Sequence, residues 1–228
     1  MRSVRYLLLL LTLFMVGCAG NATKTVTHGS SLPTAATTLT ARKSTSLILE
    51  SPAFGNGDSI PAKFASCSHP NVSPPMKWSK APEGTRSFAL CAMDEVYMVW
   101  KNVPRGASFV HWAIFNIPAS HTNLEENIPK TDHLPGGILQ GKNWEHKWGY
   151  SGPCPPPGQK HVYSFTIYAL DEKLEIPPEE GRDLCFALGG LRPVKPLPGE
   201  TEKIRNLAST IEGHVLASAT LRGVYGGR

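Results

Sequence analysis

Between Leu47 and Arg228 the apolar residues alternate with polar ones more often than they follow a helical period, which is the pattern of β-strands. The clearest alternating segments run from Arg86 to Met93, from Val110 to Ile117 and from Val162 to Leu170, and each is bounded by Gly, Pro or Asn. His214 to Val224 repeats the pattern near the C-terminus. These four segments are predicted strands.

The segment from Val162 to Leu170 is apolar on both of its faces, which is typical of a strand in the middle of a sheet. One face carries Tyr163, Phe165, Ile167 and Ala169, and the other carries Val162, Thr166, Tyr168 and Leu170. We therefore predict that this strand is central.

One late segment follows a helical period instead. Ile204, Leu207 and Ile211 fall on one helix face, which Thr201 can cap at its start and Gly213 can end. Short strands separated by long proline-rich connections favour a sandwich over a sheet of βαβ units. The predicted fold class is mainly β, with this helix near the C-terminus.

Residues 1–17 are predicted to be a signal peptide. Arg2 and Arg5 precede an apolar run from Leu7 to Val16, which falls short of the roughly 20 residues that cross a bilayer as a helix. The run ends in Met-Val-Gly-Cys-Ala, which resembles the bacterial lipobox, with Met where Leu is usual. We predict that Cys18 is acylated and becomes the new N-terminus; an ordinary secretory signal with a chance cysteine is the alternative.

Residues 18–46 are predicted to be a tether between the lipid and a domain over residues 47–228. Asn21 to Ser46 contains eight Thr and four Ser and almost no large apolar side chain, so it cannot bury enough surface to fold. Ala19 after the cysteine resembles the outer-membrane sorting pattern of Gram-negative bacteria. The predicted location is a bacterial membrane, the outer one, with the domain in the periplasm.

The charge of the chain is too mild to predict a nucleic-acid partner. Lys and Arg number 23 against 18 Asp and Glu, and loss of Arg2 and Arg5 with the signal peptide lowers the formal net charge from +5 to +3. The basic residues form no cluster. A hydrophobic content of 41% with 21 Gly and 20 Pro indicates a turn-rich globular protein rather than a disordered one.

The segment from Gly149 to Gly158 contains four prolines and three glycines. Such a segment suits a rigid wall around a small ligand. It leads to His161 and Tyr163 at the head of the central strand, and His111 opens another strand, so both histidines could point to the same end of the sheet. Each histidine alone is typical of a structural residue, but together with the proline segment they favour a binding site.

Ordered sequence blocks run from residue 60 to residue 217. They are Ile60-Pro61, Cys67, Asn71 to Trp78, Pro82 to Thr85, Ser87-Phe88, His111-Trp112, Asn116 to Pro118, Gly149-Tyr150, Gly152 to Pro156, Gly158, His161, Tyr163 and Glu212 to Ala217. Together they resemble the phosphatidylethanolamine-binding protein family, in its bacterial Raf-kinase-inhibitor-like branch, over nearly the whole predicted domain.

The resemblance implies a two-sheet antiparallel β-sandwich with a few short helices and a small surface pocket for an anionic or phosphate-like headgroup. It implies pocket roles for His111, His161 and Tyr163, with Gly152 and Pro153 on the rim. Imidazole and phenol groups donate hydrogen bonds to a phosphoryl oxygen, and these bonds strengthen when the acceptor is charged. No cofactor is predicted.

One block departs from the family pattern, which carries Asp-Pro-Asp-Ala-Pro before the histidine. Counted forward from the preceding strand, the first aspartate is Asp94. Counted back from His111, the final proline is Pro104, which places Asn102 at the second aspartate. Two candidates therefore remain for the pocket: Asp94 folding back into it, or Asn102 as a neutral substitute.

Four cysteines remain once Cys18 is assigned to the lipid, and they allow three full pairings. The resemblance places Cys67 and Cys154 in loops near the pocket, and we predict that these two pair. Cys91 lies within a strand pattern, where it is either a small buried hydrophobe or the partner of Cys185. No Cys-x-x-Cys or His-x-x-x-His spacing occurs, and no metal site is predicted.

Catalysis would need a nucleophile near a histidine. Ser151 and Cys154, near His161, are the attractive candidates, but Gly-Tyr-Ser-Gly-Pro is not a nucleophile elbow because no strand-turn-helix follows it. The chain is therefore predicted not to be an enzyme.

The predicted function is a membrane-anchored binding or regulatory module that takes a small phosphate- or carboxylate-bearing group, such as a phospholipid headgroup. The alternative is an inhibitor or regulator of a partner protein, of the protease or kinase type, acting through the pocket loops. An insertion near residues 184–198 would then add to the contact surface.

Overall fold

The structure is a computed structural model that describes residues 46–67, 70–95, 107–190, 192–193 and 198–227 of the chain. The predicted signal peptide, Cys18, the tether and Asn102 lie outside the described residues. Across the described ranges, no helix is both long enough and apolar enough to cross a membrane.

Strands dominate the described part of the chain. The strands are β1 (Ile48–Glu50), β2 (Met76–Ser79), β3 (Ser87–Asp94), β4 (Ala107–Pro118), β5 (Asn123–Leu124), β6 (His133–Leu134), β7 (Ile138–Gln140), β8 (Lys160–Leu170), β9 (Arg192–Pro193) and β10 (Val215–Gly226). The helices are α1 (Gly181–Gly189) and α2 (Glu200–Ile211), with single 3₁₀ turns at Ala62–Phe64, Pro135–Gly137 and Pro178–Glu180. The fold is mainly β with two helices, one near the C-terminus, as predicted.

The strands form two sheets. The larger runs in the order β10-β8-β3-β4-β7-β6 with antiparallel neighbours, and β9 joins β4 in parallel. The smaller runs β1-β2-β5. All four predicted strands are present as β3, β4, β8 and β10, and β4 begins three residues earlier than the alternation indicates.

Two hydrophobic cores lie on opposite faces of the larger sheet. The inter-sheet core, between the two sheets, contains Phe88 and Trp112, and the helix-side core, under α1 and α2, contains Phe115 and Phe186. Strand β8 contributes to both, with Phe165 in the first core and Leu170 in the second. The prediction of a central strand covered on both faces is confirmed.

Helix α2 buries Ile204, Leu207 and Ile211, as the helical period predicts. Its cap was predicted wrongly: the helix begins at Glu200, and the N-cap is Gly199 with φ 77° rather than Thr201. The start lies two residues earlier than a cap at Thr201 would give, and the buried carboxylate of Glu200 there pairs with Arg182 of α1 at 3.1 Å. An ion pair between the helices thus accompanies the helix start in place of a side-chain cap.

Both cysteine pairs of the domain are positioned for disulfide bonds. Cys67 and Cys154 have Cα atoms 5.3 Å apart, as the family resemblance implied. Cys91 and Cys185 have Cα atoms 5.6 Å apart, which resolves the alternative left open by the sequence. The first pair is exposed beside the proline-rich segment, and the second lies in the helix-side core.

Replacing Cys67 with Ser is expected to lower the free energy of unfolding by about 2–4 kcal/mol, because the unfolded chain regains the freedom of a long closed loop. The two cysteines are 87 residues apart. Urea denaturation of the oxidised protein measures the loss. Cys154→Ser and the double variant should lose the same amount as Cys67→Ser; equal unfolding midpoints for the oxidised parent and the variants would show that this bond is absent.

Candidate functional site

Three neighbouring strands bring four of the predicted site residues to one end of the larger sheet. Asp94 is the last residue of β3 and pairs with Tyr163 of β8. His161 precedes Tyr163 by two residues, so both side chains share a face of β8. His111 approaches from β4, with its ring centroid 5.2 Å from that of Tyr163 and the two rings at 90°.

A β-bulge in β4 turns His111 toward this group. Val110 pairs with Met93 and Trp112 pairs with Ala92, so His111 is an extra residue in β4. Val110 therefore packs in the helix-side core and Trp112 in the inter-sheet core, although residues two apart in a regular strand share a face. The bulge puts His111 on the inter-sheet side, where Tyr163 lies.

The hydrogen bonding of His111 determines which of its nitrogens faces the site. Nδ1 lies 2.7 Å from the carbonyl oxygen of Ser151, which can only accept, so Nδ1 carries a hydrogen and donates it. Nε2 of the neutral ring is consequently an acceptor. Burial lowers the pKa of His111, and the nearby Asp94 opposes this shift. Protonation would convert Nε2 from acceptor to donor.

His161 is held at both ring nitrogens. Nδ1 is 2.7 Å from Asp94 Oδ2, and Nε2 is 3.1 Å from Gln159 Oε1. The His161 and Asp94 side chains are only 3% and 7% exposed, so their contact lies away from solvent. Burial raises the pKa of Asp94, and the hydrogen bond with His161 opposes that rise.

Tyr163 supplies a hydroxyl that stays protonated. Burial raises the pKa of this phenol, and the neighbouring Asp94 raises it further. The Tyr163 hydroxyl remains a hydrogen-bond donor at neutral pH. The site therefore combines a fixed donor with two imidazoles.

The proline-rich segment packs against the site as a wall. A Cβ atom at Gly152 would lie 1.8 Å from the carbonyl oxygen of Phe64, so this close approach requires glycine. The backbone N–H of Gly152 donates to Asn71 Oδ1 at 2.9 Å, and the Tyr150 hydroxyl donates to Phe64 O at 2.8 Å. Gly152 and Pro153, predicted to lie on the rim, are both buried. Their burial could not be predicted from local sequence, because the residues that cover them come from about 80 positions earlier in the chain.

The structure places Asp94, one of the two candidates for the pocket, in the site. Asp94 contacts His161 directly, so counting forward from β3 identifies a residue at the pocket. Asn102 lies outside the described residues.

The candidate nucleophiles lack the partners that catalysis would require. Cys154 is positioned to bond Cys67, which removes its thiol. Ser151 contacts His111 through its carbonyl, and its buried Oγ has no hydrogen-bond partner among the described residues. No group of three or more metal-ligating side chains occurs in the part of the chain that the structure describes. The arrangement offers hydrogen bonds and charge rather than an activated nucleophile.

Two residues near the site were not found from the sequence. Gln159 precedes His161 by two positions, and the strand period could have indicated it. Tyr225 pairs with His161 across β10 and β8, and it packs against the inter-sheet core. That pairing joins residues far apart in the chain, so no local pattern could have shown it.

An exposed aromatic residue marks the mouth of the site. Trp144 is 39% exposed, and its ring centroid lies 6.1 Å from that of His111 and 6.0 Å from that of Phe109. Trp144 therefore lies where an aromatic side chain is next to His111 and also reaches solvent.

Comparison with known proteins identifies the family. The family model described as phosphatidylethanolamine-binding protein matches residues 50–226. This chain belongs to the phosphatidylethanolamine-binding protein family. Family membership indicates a binding module.

Relatives and solved structures of the family agree with this assignment. A UPF0098 protein of Methanothermobacter thermautotrophicus is 35% identical over 179 residues, which is 78% of this chain and 97% of the relative. The structure of a phosphatidylethanolamine-binding protein homologue from Chlamydia trachomatis has a TM-score of 0.57 at 28% identity, and covers 81% of this chain and 100% of its own. That of Escherichia coli YbcL has a TM-score of 0.58 at 25% identity, covering 80% and 99%.

Replacing Asp94 with Ala is expected to lower the free energy of unfolding by about 3–5 kcal/mol, because it leaves the buried His161 ring without its carboxylate. Asp94→Asn should lose less, since an amide oxygen still accepts from Nδ1. Thermal and urea unfolding at pH 7 measure both variants. Equal stability of Asp94→Ala and the parent would show that this pair does not hold β3 to β8.

Proposed function

We propose that the chain is a membrane-anchored binding protein that takes a small phosphate- or carboxylate-bearing group between His111, His161 and Tyr163. The observation that supports this most is the convergence of two imidazoles and a protonated phenol at one buried end of the sheet. Hydrogen bonds to a charged acceptor are strong in such surroundings, because little water competes for them.

The electrostatics of the pocket favour an anion that is already protonated or that becomes protonated when it binds. Neutral His111 presents the lone pair of Nε2, which can accept from the hydroxyl of a monoprotonated phosphate. Asp94 adds negative charge beside His161, which opposes a fully ionised ligand. Acidification would charge His111 and neutralise Asp94, and both changes favour anion binding.

The proposed membrane attachment rests on the sequence around Cys18. If Cys18 carries lipid, a tether of 29 residues with this Ser/Thr-rich composition would be expected to span about 30 Å. This reach is comparable to the diameter of a small domain, so the binding module could stay close to the membrane surface.

Calorimetric titration of the purified chain with millimolar phosphate, phosphoethanolamine and acetate tests the pocket. We expect His161→Ala and Tyr163→Phe to weaken phosphate binding by about tenfold or more, because each loses a hydrogen bond to a charged group. His133→Ala replaces an exposed histidine on β6 and should leave binding unchanged.

The same titration repeated at lower pH tests the electrostatics. Affinity for the anion should rise as the pH is lowered from 7 to 5, because burial raises the pKa of Asp94 and acidification removes its negative charge. Burial lowers the pKa of His111, so that ring gains its charge only at lower pH. Asp94→Asn should flatten the dependence. Absence of binding by every anion at both pH values would overturn the pocket proposal and favour a protein partner at these loops.

Fractionation of Gram-negative bacterial cells that produce the full chain tests the anchor. The parent is expected in the membrane fraction, and Cys18→Ser is expected to lose the lipid and with it stable membrane association. Mass spectrometry of the mature N-terminus reports acylation directly. An unmodified, soluble parent protein would overturn the anchoring proposal.

A further inference from the structure

A groove lies on the helix side of the larger sheet, on the opposite face from the candidate site. Helices α1 and α2 pack on β3 and β4, and β10 contributes no described residue to the helix-side core. The outer part of this sheet face, on β8 and β10, therefore stays open beside the C-terminal end of α1. The groove there has a volume of about 380 Å³, which lies within the range of pockets that hold small molecules.

Hydroxyl side chains form the floor of this groove. Cross-strand pairing places Ser218 opposite Tyr168 and Thr220 opposite Thr166, and residues two apart on a strand share a face. The Thr166 and Thr220 hydroxyls form a hydrogen bond of 2.9 Å, and the Thr166 hydroxyl also bonds the Tyr168 phenol. Burial raises the pKa of Tyr168 to about 12, so this phenol keeps its proton at neutral pH. We call the space the hydroxyl groove, after Ser164, Thr166, Tyr168, Ser218 and Thr220.

An ion pair and apolar side chains complete the lining of the hydroxyl groove. At one end, Arg222 Nε donates to Glu95 Oε1 at 3.0 Å, and the Glu95 side chain is only 9% exposed. These two charges compensate each other, so the described lining has no net charge. Met93 and Leu188 add apolar surface beside the hydroxyls.

This lining determines which ligand chemistry the hydroxyl groove can accept. An ionised ligand would meet no uncompensated charge in the described lining, so the cost of removing its water would not be offset. A wholly apolar ligand would cover the hydroxyls and leave them without hydrogen-bond partners. A sugar avoids both costs, because its hydroxyls donate and accept as Ser and Thr hydroxyls do, and its C–H groups contact apolar side chains.

We propose that the hydroxyl groove binds a neutral sugar. The Ser and Thr hydroxyls and the Glu95–Arg222 pair bond the sugar hydroxyls. Met93 and Leu188 pack against the C–H groups of the ring. This second site lies on the other face of the sheet from the proposed anion pocket and does not depend on it.

NMR titration of the purified chain with glucose, N-acetylglucosamine and maltotriose at millimolar concentrations tests the inference. At least one sugar is expected to shift the amide signals of Thr166, Ser218 and Thr220, and to leave those of His111 and Tyr163 in place. Tighter binding of maltotriose than of glucose would identify a glycan chain as the source of the ligand, and equal affinity would identify a free sugar. Unshifted groove signals with all three sugars would overturn the proposal.

Variants that remove single hydroxyls locate the sugar. Thr220→Val keeps the branched shape of the side chain, and Ser164→Ala removes a buried hydroxyl; each should weaken sugar binding about fivefold. Thr201→Val, at an exposed threonine of α2 outside the groove, should bind sugar like the parent. Thermal unfolding shows that each variant is folded. Parent-like sugar affinity in both Thr220→Val and Ser164→Ala would overturn the assignment.

Tyr163→Phe separates the two proposed sites. This variant alters the proposed anion pocket and should keep the sugar affinity of the parent. Failure of phosphate to bind would leave the sugar titration unaffected, and failure of the sugars would leave the anion pocket unaffected. Loss of sugar binding in Tyr163→Phe would show that the sugar occupies the other face of the sheet, against the proposal.

Discussion

The extra residue in β4 determines on which side of the larger sheet His111 lies. In a regular strand, Val110 and Trp112 would share a face and His111 would point toward the helices. The bulge separates them, so that Val110 packs under α1 and α2 while His111 and Trp112 both face the smaller sheet. The meeting of His111 with Tyr163, and the seating of Ser151 against His111, both depend on this one irregularity.

Burial determines the charges in the site more than the choice of residue types does. Desolvation disfavours the charged forms of His111, Tyr163 and Asp94, which lowers the pKa of the first and raises the pKa of the other two. Burial therefore reduces the tendency of these groups to carry charge. Under the proposed function, such a site would bind its ligand through directed hydrogen bonds, and its affinity for an anion would respond to pH because protonation changes both its donors and its net charge.

The proline-rich segment carries out two structural tasks. Its first part, around Gly152, closes one side of the proposed anion pocket by packing on Phe64 and Asn71. Its second part, Pro155 to Gln159, lines a cavity of about 270 Å³ beside the end of β10. The Cys67–Cys154 pair lies between these parts and ties the segment to the loop that follows the first 3₁₀ turn. Rigid loops of this kind reduce the ordering required when a ligand binds.

Much of this protein could be predicted from local patterns in the sequence. Alternation in β3, β4, β8 and β10 and the apolar face of α2 are local properties, since each depends on the spacing of neighbouring side chains. His161 and Tyr163 share a face for the same reason. The family blocks identified the fold and pointed to the Cys67–Cys154 pair, which spacing alone could not have done.

Tertiary structure decided the features that join distant parts of the chain. The bulge at His111 depends on pairing with β3, and the place of Tyr225 beside His161 depends on the register of β10. The start of α2 at Glu200 follows from an ion pair with α1 rather than from a cap residue. The sequence alone determined which elements form and which residue types reach the site, because those follow from short-range periodicity. The tertiary structure decided how these residues face one another, because cross-strand register and burial arise only when the whole sandwich is assembled.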